Sequence, residues 1–333
     1  MAKEITAAGT LMEACKEAAG AGEAVIRLEP RVYEEKVFAE VRDLTLIGAG
    51  AASTKLLWHD AAFTMLEDGF KRGTFRSYTA FFGGERLVLK DLSIINDAGD
   101  GRSAGQTVAA YLDSDRVFAE NCVFDSFQDT PFLSPLPDEE REPRGFMGPR
   151  EFAPRKLTKQ VFRGCKIIGD VDFIFGGADA VFDDCEIICR DRGHVKGYEE
   201  EGKAADFING YVTAPCGKRD GLGLVFRNCR IRAEEGAAPG SVYLGRPWRP
   251  EGRAAFLGCT FSEHIAPRRF SGWGAVEKDE PDACFSEFAS VREDGSPVDL
   301  SARNPWVREL DTDTWRALNA AADALVKEVT GEI

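Results

Sequence analysis

Asp172 is a carboxylate in an otherwise apolar stretch, and its surroundings are the first sign of chemistry in the sequence. It lies in residues 169–176, which read Gly-Asp-Val-Asp-Phe-Ile-Phe-Gly. A carboxylate among large hydrophobic side chains is costly to bury unless another group pairs with it. If side chains alternate along a strand here, Asp172 shares a face with Ile174 and lies on the face opposite Phe175. Its partners must come from elsewhere in the chain.

A second carboxylate and an arginine could complete a site around Asp172. Asp129 belongs to the upstream segment 127–130, and Arg246 belongs to the downstream segment 243–248. Arg246 is permanently charged and forked, so it can pair with Asp172 and keep it ionised. Because two nearby carboxylates rarely ionise equally, we expect Asp129 to have the raised pKa. The sequence thus predicts two carboxylates in different electrostatic environments.

Two glutamines and a tryptophan extend the predicted site. The amides of Gln106 and Gln128 are donors suited to an oxyanion that develops during a reaction. Trp248 lies two residues after Arg246, so an extended segment places both on one face, where an exposed indole can stack on a sugar ring. The alternative for Gln106 is a place in an interior polar ladder, and for Trp248 the role of an ordinary half-buried aromatic residue.

A short repeat indicates which architecture holds these residues. Each anchor residue is preceded by Asn, Asp or Gly and is followed two positions later by Leu, Ile or Phe. The anchors are Leu44, Leu92, Cys122, Cys165, Cys185, Cys229 and Cys259. Several of their intervals are near one or two multiples of roughly 20–25 residues, the size of a coil in a stacked solenoid. Short β-branched and aromatic runs without helical periodicity predict an all-β protein, a parallel β-helix. Its cysteines would be buried apolar fillers.

Three further segments complete the expected architecture, a single domain over residues 1–333. Residues 7–19 have an amphipathic pattern and are predicted to form a short helix that caps one end of the solenoid. Residues 133–157 contain five prolines and many charges, which predicts a loop projecting from one face. Over about residues 311–330, apolar side chains recur at helical spacing and predict a C-terminal helix on the solenoid flank.

The composition excludes some classes of function. The 333 residues include 42 Lys plus Arg and 56 Asp plus Glu, a net charge of −14, so nucleic acid is not an expected partner. Neither a signal segment nor a run of transmembrane length is visible, so we expect no membrane partner. The predicted location is cytoplasmic, or secreted if the sequence is a processed form. Nine cysteines and three histidines show no zinc-binding spacing, so we expect reduced thiols and no metal.

Three segments together resemble the signature blocks of the pectin methylesterases, family 8 of the carbohydrate esterases. They are Gln-Asp-Thr at 128–130, Gly-Asp-Val-Asp-Phe-Ile-Phe-Gly at 169–176 and Tyr-Leu-Gly-Arg-Pro-Trp at 243–248. Supporting segments cover nearly the whole chain, at 30–37, 92–96, 105–110, 212–214, 272–273 and 304–306. The resemblance implies a right-handed parallel β-helix with an open cleft for a polygalacturonate chain.

The resemblance also implies a role for each residue in hydrolysing galacturonate methyl esters to carboxylate and methanol. Asp172 matches the nucleophile that forms an acyl-enzyme, and Asp129 matches the acid that protonates methanol and then activates water. Gln106 and Gln128 match the oxyanion-stabilising amides, and Arg246 matches the residue that orients the nucleophile. No bound cofactor is implied. The cleft-lining positions are matched by Trp248, Phe175 and Val171.

The sequence departs from the family pattern at places that bear on substrate choice. Asp170 replaces a common Thr or Ala, Gly177 a common Asn, and Lys159 a usual Arg. Residues 133–157 are longer than in plant members and could reshape one end of the cleft. Because no signal peptide is visible, we expect the substrates to be short methylated oligogalacturonides.

Other functions on the same fold remain as alternatives. A pectate lyase would need a calcium-binding acidic cluster, and a polygalacturonase two carboxylates across a glycosidic oxygen, whereas paired glutamine donors favour ester chemistry. A β-helix esterase or thioesterase acting on another acyl substrate is harder to separate. A solenoid that binds carbohydrate without turnover would be marked by loss of Asp129, Asp172 or Arg246, and all three are present.

Overall fold

The computed structural model describes residues 2–193, 204 and 206–332, which wind into a right-handed parallel β-helix. The fold class predicted from the sequence is confirmed. The strands in the described residues are, in chain order, β1 (Lys3–Ala7), β2 (Glu23–Leu28), β3 (Val32–Glu34), β4 (Val37–Glu40), β5 (Asp43–Ile47), β6 (Lys55–Trp58), β7 (Ala80–Lys90), β8 (Ser93–Asn96), β9 (Ala110–Glu120), β10 (Val123–Asp125), β11 (Pro131–Leu133), β12 (Lys159–Arg163), β13 (Lys166–Gly169), β14 (Val171–Gly176), β15 (Asp179–Asp183), β16 (Glu186–Cys189), β17 (Gly210–Pro215), β18 (Leu224–Arg227), β19 (Arg230–Ala233), β20 (Val242–Gly245), β21 (Arg253–Leu257), β22 (Thr260–Phe261), β23 (Cys284–Phe288), β24 (Val291–Arg292) and β25 (Arg308–Glu309).

These strands form three faces of parallel sheet. The flank face contains β1, β2, β5, β12, β15, β18, β21, β23 and β25. The cleft face contains β4, β11, β14, β17 and β20, and the third face contains β3, β6, β8, β10, β13, β16, β19, β22 and β24. The long strands β7 and β9 belong to the first two faces, since residues 80–83 of β7 pair with β4 and residues 86–90 with β5.

Similar side chains stack from coil to coil in the interior, as the repeat predicts. On the flank face, successive phenylalanine rings lie with centroids 4.4–4.6 Å apart; they are Phe162, Phe182, Phe226 and Phe256. On the third face the residues two positions after the anchors are in register: Ile94, Phe124, Ile167, Ile187, Ile231 and Phe261. Each coil therefore buries its apolar residues against those of its neighbours.

The cysteines are part of this core. All nine are free thiols in the described part of the chain, and eight of them are buried. Anchor thiols donate weak hydrogen bonds to the carbonyl of the preceding coil, as from Cys185 to Phe162 at 3.4 Å and from Cys229 to Phe182 at 3.3 Å. The prediction that the cysteines of the repeat are buried apolar fillers is confirmed.

The residue before each anchor turns the corner between the flank and third faces. These corner residues have φ between +52° and +62°, the left-handed region that Gly, Asn and Asp tolerate best; they are Asp91, Asn121, Gly164, Asp184, Asn228 and Gly258. The first predicted copy is wrong. Leu44 lies inside β5, and Leu46 takes the position opposite Leu89, because residues 48–54 lengthen that corner.

Two α-helices flank the coils. The N-terminal helix α1 (Leu11–Ala21) begins four residues later than predicted, because residues 3–7 form β1 and Thr10 makes a capping box with Glu13. Its apolar side packs into the main core. The predicted C-terminal helix is α2 (Thr312–Thr330), and it buries one side against the outer surface of the flank face. Among the described residues, no helix is both long and apolar enough to cross a membrane.

Residues 133–157 fold against the cleft face instead of projecting freely. Leu136 and Phe146 are buried in an aromatic cluster beside the cleft. Arg150 forms an ion pair with Asp113 of β9. The segment thereby becomes part of the wall around the site.

Candidate active site

A cavity of about 670 Å³ opens on the cleft face and collects most of the predicted site residues. Seven of the eight line it: Asp172, Asp129, Gln106, Gln128, Arg246, Trp248 and Phe175. Val171 lies outside this lining. It is buried, and its carbonyl accepts a hydrogen bond from the backbone N–H of Asp129 at 3.2 Å. The three sequence segments therefore converge, with Val171 supporting the backbone of the second carboxylate.

Strands of the cleft face deliver these groups from different coils. Asp129 precedes β11, Asp172 lies in β14, and Arg246 follows β20. Strand β17 separates β14 from β20. Since neighbouring strands are about 4.8 Å apart, the arginine must span roughly 10 Å to reach the aspartate. A long side chain is needed for this contact.

Arg246 holds the carboxylate of Asp172 with both prongs of its guanidinium. Nε donates to Oδ1 at 2.9 Å, and Nη2 donates to Oδ2 at 2.7 Å. The guanidinium carbon also lies 4.0 Å from the ring centroid of Tyr211 and 4.6 Å from that of Trp273. These contacts restrict its position. Only 8% of the Asp172 side chain is exposed, so a bidentate charged pair offsets the cost of burying it.

Asp172 has a backbone conformation that simple alternation does not anticipate. Its φ is +51°, and the pairing of β14 with β17 shifts register between Val171 and Ile174. Such a bulge re-aims a side chain. Phe173 and Ile174 are consequently both in the main core. Asp172 and Phe175 both line the cavity, so their predicted placement on opposite faces is wrong.

Asp129 has the environment expected of a proton donor. Its φ is +67°, and the residue is 8% exposed. Burial, and then the nearby charge of Asp172, raise its pKa well above the ordinary aspartate value, while Arg246 opposes that shift. One carboxylate is thus paired with a cation, and the other is placed where protonation is favoured.

The two glutamines are half-buried at the edge of the cavity, with their backbones tied to neighbouring coils. The Gln106 carbonyl accepts from Ala62 N–H at 3.0 Å, and the Gln128 carbonyl accepts from Thr107 N–H at 3.0 Å. Both residues line the cavity, and these backbone bonds fix the points from which their side chains extend.

Aromatic residues that the sequence prediction does not include complete the wall. Phe75 lies in a short 3-10 helix (Thr74–Arg76), with its ring centroid 6.4 Å from that of Trp248, and Phe146 meets the same indole edge-on at 6.4 Å. Trp273 contacts the Arg246 guanidinium. The Gly-Trp pair at 272–273 was a signal for Trp273, but Phe75 and Phe146 lie outside every signature segment.

Residues 138–142 pass between this cavity and a second one of about 910 Å³. Asp138 and Glu139 line the second cavity, Arg141 lines the first, and Arg249 lines both. Arg141 Nη2 donates to the Trp248 carbonyl at 2.5 Å, and Arg249 Nη2 donates to the Glu139 carbonyl at 2.5 Å. The segment is therefore fastened across the cleft face.

The parallel β-helix thus carries two aspartates, an arginine and an aromatic wall on one face, and the class of enzyme follows from the family that it matches. The chain matches the pectinesterase family over residues 2–135 and 155–326. It therefore belongs to the pectinesterase family and is a carboxylic ester hydrolase.

Individual relatives agree with this assignment. Pectinesterase 31 of Arabidopsis thaliana is 30% identical over 297 residues, which cover 87% of this chain and 79% of the relative. Probable pectinesterase 8 of the same plant is 30% identical over 285 residues, covering 84% of this chain and 61% of the relative.

Solved structures share the fold. Pectin methylesterase from Yersinia enterocolitica superposes with a TM-score of 0.71 at 25% identity, covering 93% of this chain and 96% of that one. Pectin methylesterase PemA from Erwinia chrysanthemi has a TM-score of 0.73 at 24% identity, covering 99% and 97%. The family match leaves out residues 136–154, which include the stretch that crosses the cleft face.

Proposed function

We propose that the protein hydrolyses methyl esters of galacturonate through an acyl-enzyme on Asp172. The observation that carries the proposal is the bidentate pair of Asp172 with Arg246 beside Asp129, whose pKa is raised. A carboxylate paired with a cation can act as the nucleophile, and a nearby carboxyl with a raised pKa can act as the acid; these are the two groups that ester cleavage needs. The relatives named pectinesterase support pectin as the source of the ester.

In the first half-reaction, an oxygen of Asp172 attacks the ester carbonyl carbon. The electron pair of the carbonyl moves to its oxygen, where the amides of Gln106 and Gln128 stabilise the negative charge. Asp129 donates its proton to the methoxy oxygen as the carbon–oxygen bond breaks. Methanol leaves, and the acyl group remains bound to the nucleophile.

In the second half-reaction, Asp129 acts as a base. It takes a proton from water, and the resulting hydroxide oxygen attacks the acyl carbon. The bond to Asp172 breaks, which restores the paired nucleophile and releases galacturonic acid, whose proton passes to solvent to leave the carboxylate. Asp129 ends the cycle protonated. Arg246 keeps the nucleophile oriented throughout, and Trp248 and Phe175 offer apolar surface to the sugar rings.

We also propose that short oligogalacturonides are better substrates than polymeric pectin. Residues 138–142 run between two cavities that would otherwise form a longer groove, and hydrogen bonds from Arg141 and Arg249 fasten them there. A long chain would have to displace this segment, whereas a short one fits the cavity that holds Asp172. The cytoplasmic location remains a prediction that this substrate choice would suit.

Methanol release tests the proposal. Wild-type protein is incubated with methyl-esterified oligogalacturonides and with polymeric pectin, and Asp172→Ala serves as the blank. The expected result is release by wild type alone, faster on the short substrate. No methanol from folded wild-type protein on either substrate would overturn the proposal and favour a different ester. Equal rates on both substrates would overturn only the length preference.

A further inference from the structure

Arg141 belongs to the stretch that the pectinesterase family does not match, yet it lines the same cavity as Asp172. Its guanidinium carbon lies 4.5 Å from the ring centroid of Trp273, and Nη2 donates to the Trp248 carbonyl. The residue as a whole is exposed. Its remaining N–H donors are thus held near the reacting groups by two aromatic residues and stay accessible.

The positive charge of Arg141 is not neutralised by an ion pair. In the described part of the chain, Arg141 and Arg249 contact backbone carbonyls and aromatic rings, and no carboxylate lies within 4.0 Å of either guanidinium. Arg150, which lies in the same unmatched stretch of residues 136–154, forms ion pairs with Asp113 and Glu40. Although the chain has a net charge of −14, Arg141 and Arg249 both line the cavity that holds Asp172.

Arg141 is repelled by Arg246, and Arg249 is repelled by Arg141. Burial and the Arg246 charge lower the pKa of Arg141, while burial and the Arg141 charge lower that of Arg249. Such repulsion is relieved when an anion binds between the charges. The local field therefore favours a negative ligand at this end of the cavity.

The carboxylates near this pair do not cancel its charge. Glu280 attracts Arg141 from beyond ion-pair distance, but it already accepts the Trp273 backbone N–H at 2.9 Å and pairs with Lys278 at 2.8 Å. Glu139 acts on Arg249 in the same weak way. Glu142 lines the cavity and is exposed, so it can swing into solvent when an anion arrives.

We propose that Arg141, with Arg249 beside it, binds the ionised carboxylate of a galacturonate unit next to the one that reacts. The inference rests on the proposed function, since a galacturonate chain carries either a methyl ester or a carboxylate on each unit. A planar guanidinium fork matches a carboxylate far better than a methyl ester. Residues 138–142, which we propose shorten the cleft, would thus also select substrates that are already partly de-esterified.

The kinetic test uses two oligogalacturonides of equal length, one fully methyl-esterified and one half-esterified. Wild type is expected to have the higher kcat/KM on the half-esterified substrate. Arg141→Gln should lose about tenfold on that substrate, chiefly through KM, because it removes a charged hydrogen bond at a partly exposed site. It should stay within about twofold of wild type on the fully esterified one.

Arg144→Gln is the matched control. Arg144 lies in the same stretch, residues 136–154, that the family match leaves out. It is exposed and sits over the Phe70 ring outside the cavity lining, so its substitution should leave the rates on both substrates unaffected. Thermal unfolding of each variant checks that the segment is intact. Equal losses for Arg141→Gln on both substrates, or none on either, would overturn the inference while the esterase assignment stands.

A binding experiment separates the inference from turnover. Fully de-esterified trigalacturonate, titrated calorimetrically, should bind wild type about tenfold more tightly than Arg141→Gln, and less tightly as salt is added. Equal affinities would reject the carboxylate site even if esterase activity is high. If no methanol is ever released but this difference appears, the carboxylate site stands and the proposed chemistry fails.

Discussion

Acidic and amide side chains adopt the left-handed backbone conformation in two regions of the molecule, the corners of the coils and the cleft. At the corners they are Asp91, Asn121, Asp184 and Asn228, which are exposed or half-buried. In the cleft they are Asp129 and Asp172, both buried. The backbone geometry is nearly the same in both regions, but the side chains have different surroundings.

The difference separates a conformational requirement from a chemical one. Glycine occupies two of the corners, at Gly164 and Gly258, so the corner needs only a residue that tolerates positive φ. In the cleft the same conformation aims a carboxylate at a cavity, and the cost of burial is offset by Arg246 or by protonation. Substitutions that keep the backbone and change the charge should therefore affect only the cleft.

The largest expected effect is on Asp172→Asn compared with Asp184→Asn. Asparagine tolerates both backbones, so both variants should fold. The cleft variant should lose roughly 10³-fold or more in methanol release, because an amide is a poor nucleophile. The corner variant should match wild type. Comparable activity losses in the two variants would mean that the cleft carboxylate acts through the fold alone.

Two buried arginines, one in the cleft and one outside it, allow the same comparison between a chemical and a structural role. Arg246→Lys should lower kcat about 10²-fold, because a lysine cannot hold Asp172 with two prongs across two strand spacings. Arg269 pairs with Glu287 at 2.7 Å, with both side chains almost fully buried, so Arg269→Lys should lower Tm and leave kcat unchanged in the folded fraction. A kcat for Arg246→Lys near that of wild type would refute the orienting role.

Asp129 should make stability depend on pH in a way that the corner residues do not. Its pKa is raised in the folded state, so its contribution to stability is fully present below the ordinary aspartate pKa and is lost as pH rises towards the folded-state pKa. Asp129→Asn removes that loss. The variant should therefore have a higher Tm than wild type at about pH 8 and the same Tm near pH 3, while being inactive. Thermal unfolding across pH, with Asp184→Asn as the control, measures this.

The smallest expected effect is at a corner where an alanine occupies a backbone conformation that favours glycine. Ala289 has a φ of +51°, which costs an alanine about 1 kcal/mol or more. Ala289→Gly should stabilise the fold by about 0.5 kcal/mol after the entropy cost of glycine. The same substitution at Ala321, exposed in α2, should destabilise by about 1 kcal/mol. Chemical denaturation should therefore move the two midpoints in opposite directions.

The coils could be predicted from the sequence because their pattern repeats. Each coil has the same types of residue at its corner, anchor and interior positions. A wrong assignment in one copy therefore does not change the predicted fold. Errors appear where a coil is irregular, as at Leu44, where the longer corner moves the register. The start of α1 was predictable in principle, since Thr10 and Glu13 form a capping box.

Only those site residues that lie in recognisable short sequence blocks could be predicted. Asp129, Asp172 and Arg246 stand in recognisable blocks and meet in one cavity. The bulge at Asp172 depends on pairing with β17, and the cleft wall at Phe146 and Arg141 depends on contacts with Trp248, more than a hundred residues away. No local periodicity encodes such contacts, so neither the re-aimed side chain nor the folded-back segment follows from the sequence pattern.

The anchor cysteines give the solenoid an internal reporter of how it opens. Cys122, Cys165, Cys185, Cys229 and Cys259 sit one to a coil along the axis, each shielded in the native state. A stack whose coils contact only their neighbours opens from its ends or at its weakest junction. A thiol reagent applied under mild denaturation, followed by mapping of the labelled positions, would therefore record the order in which the coils separate.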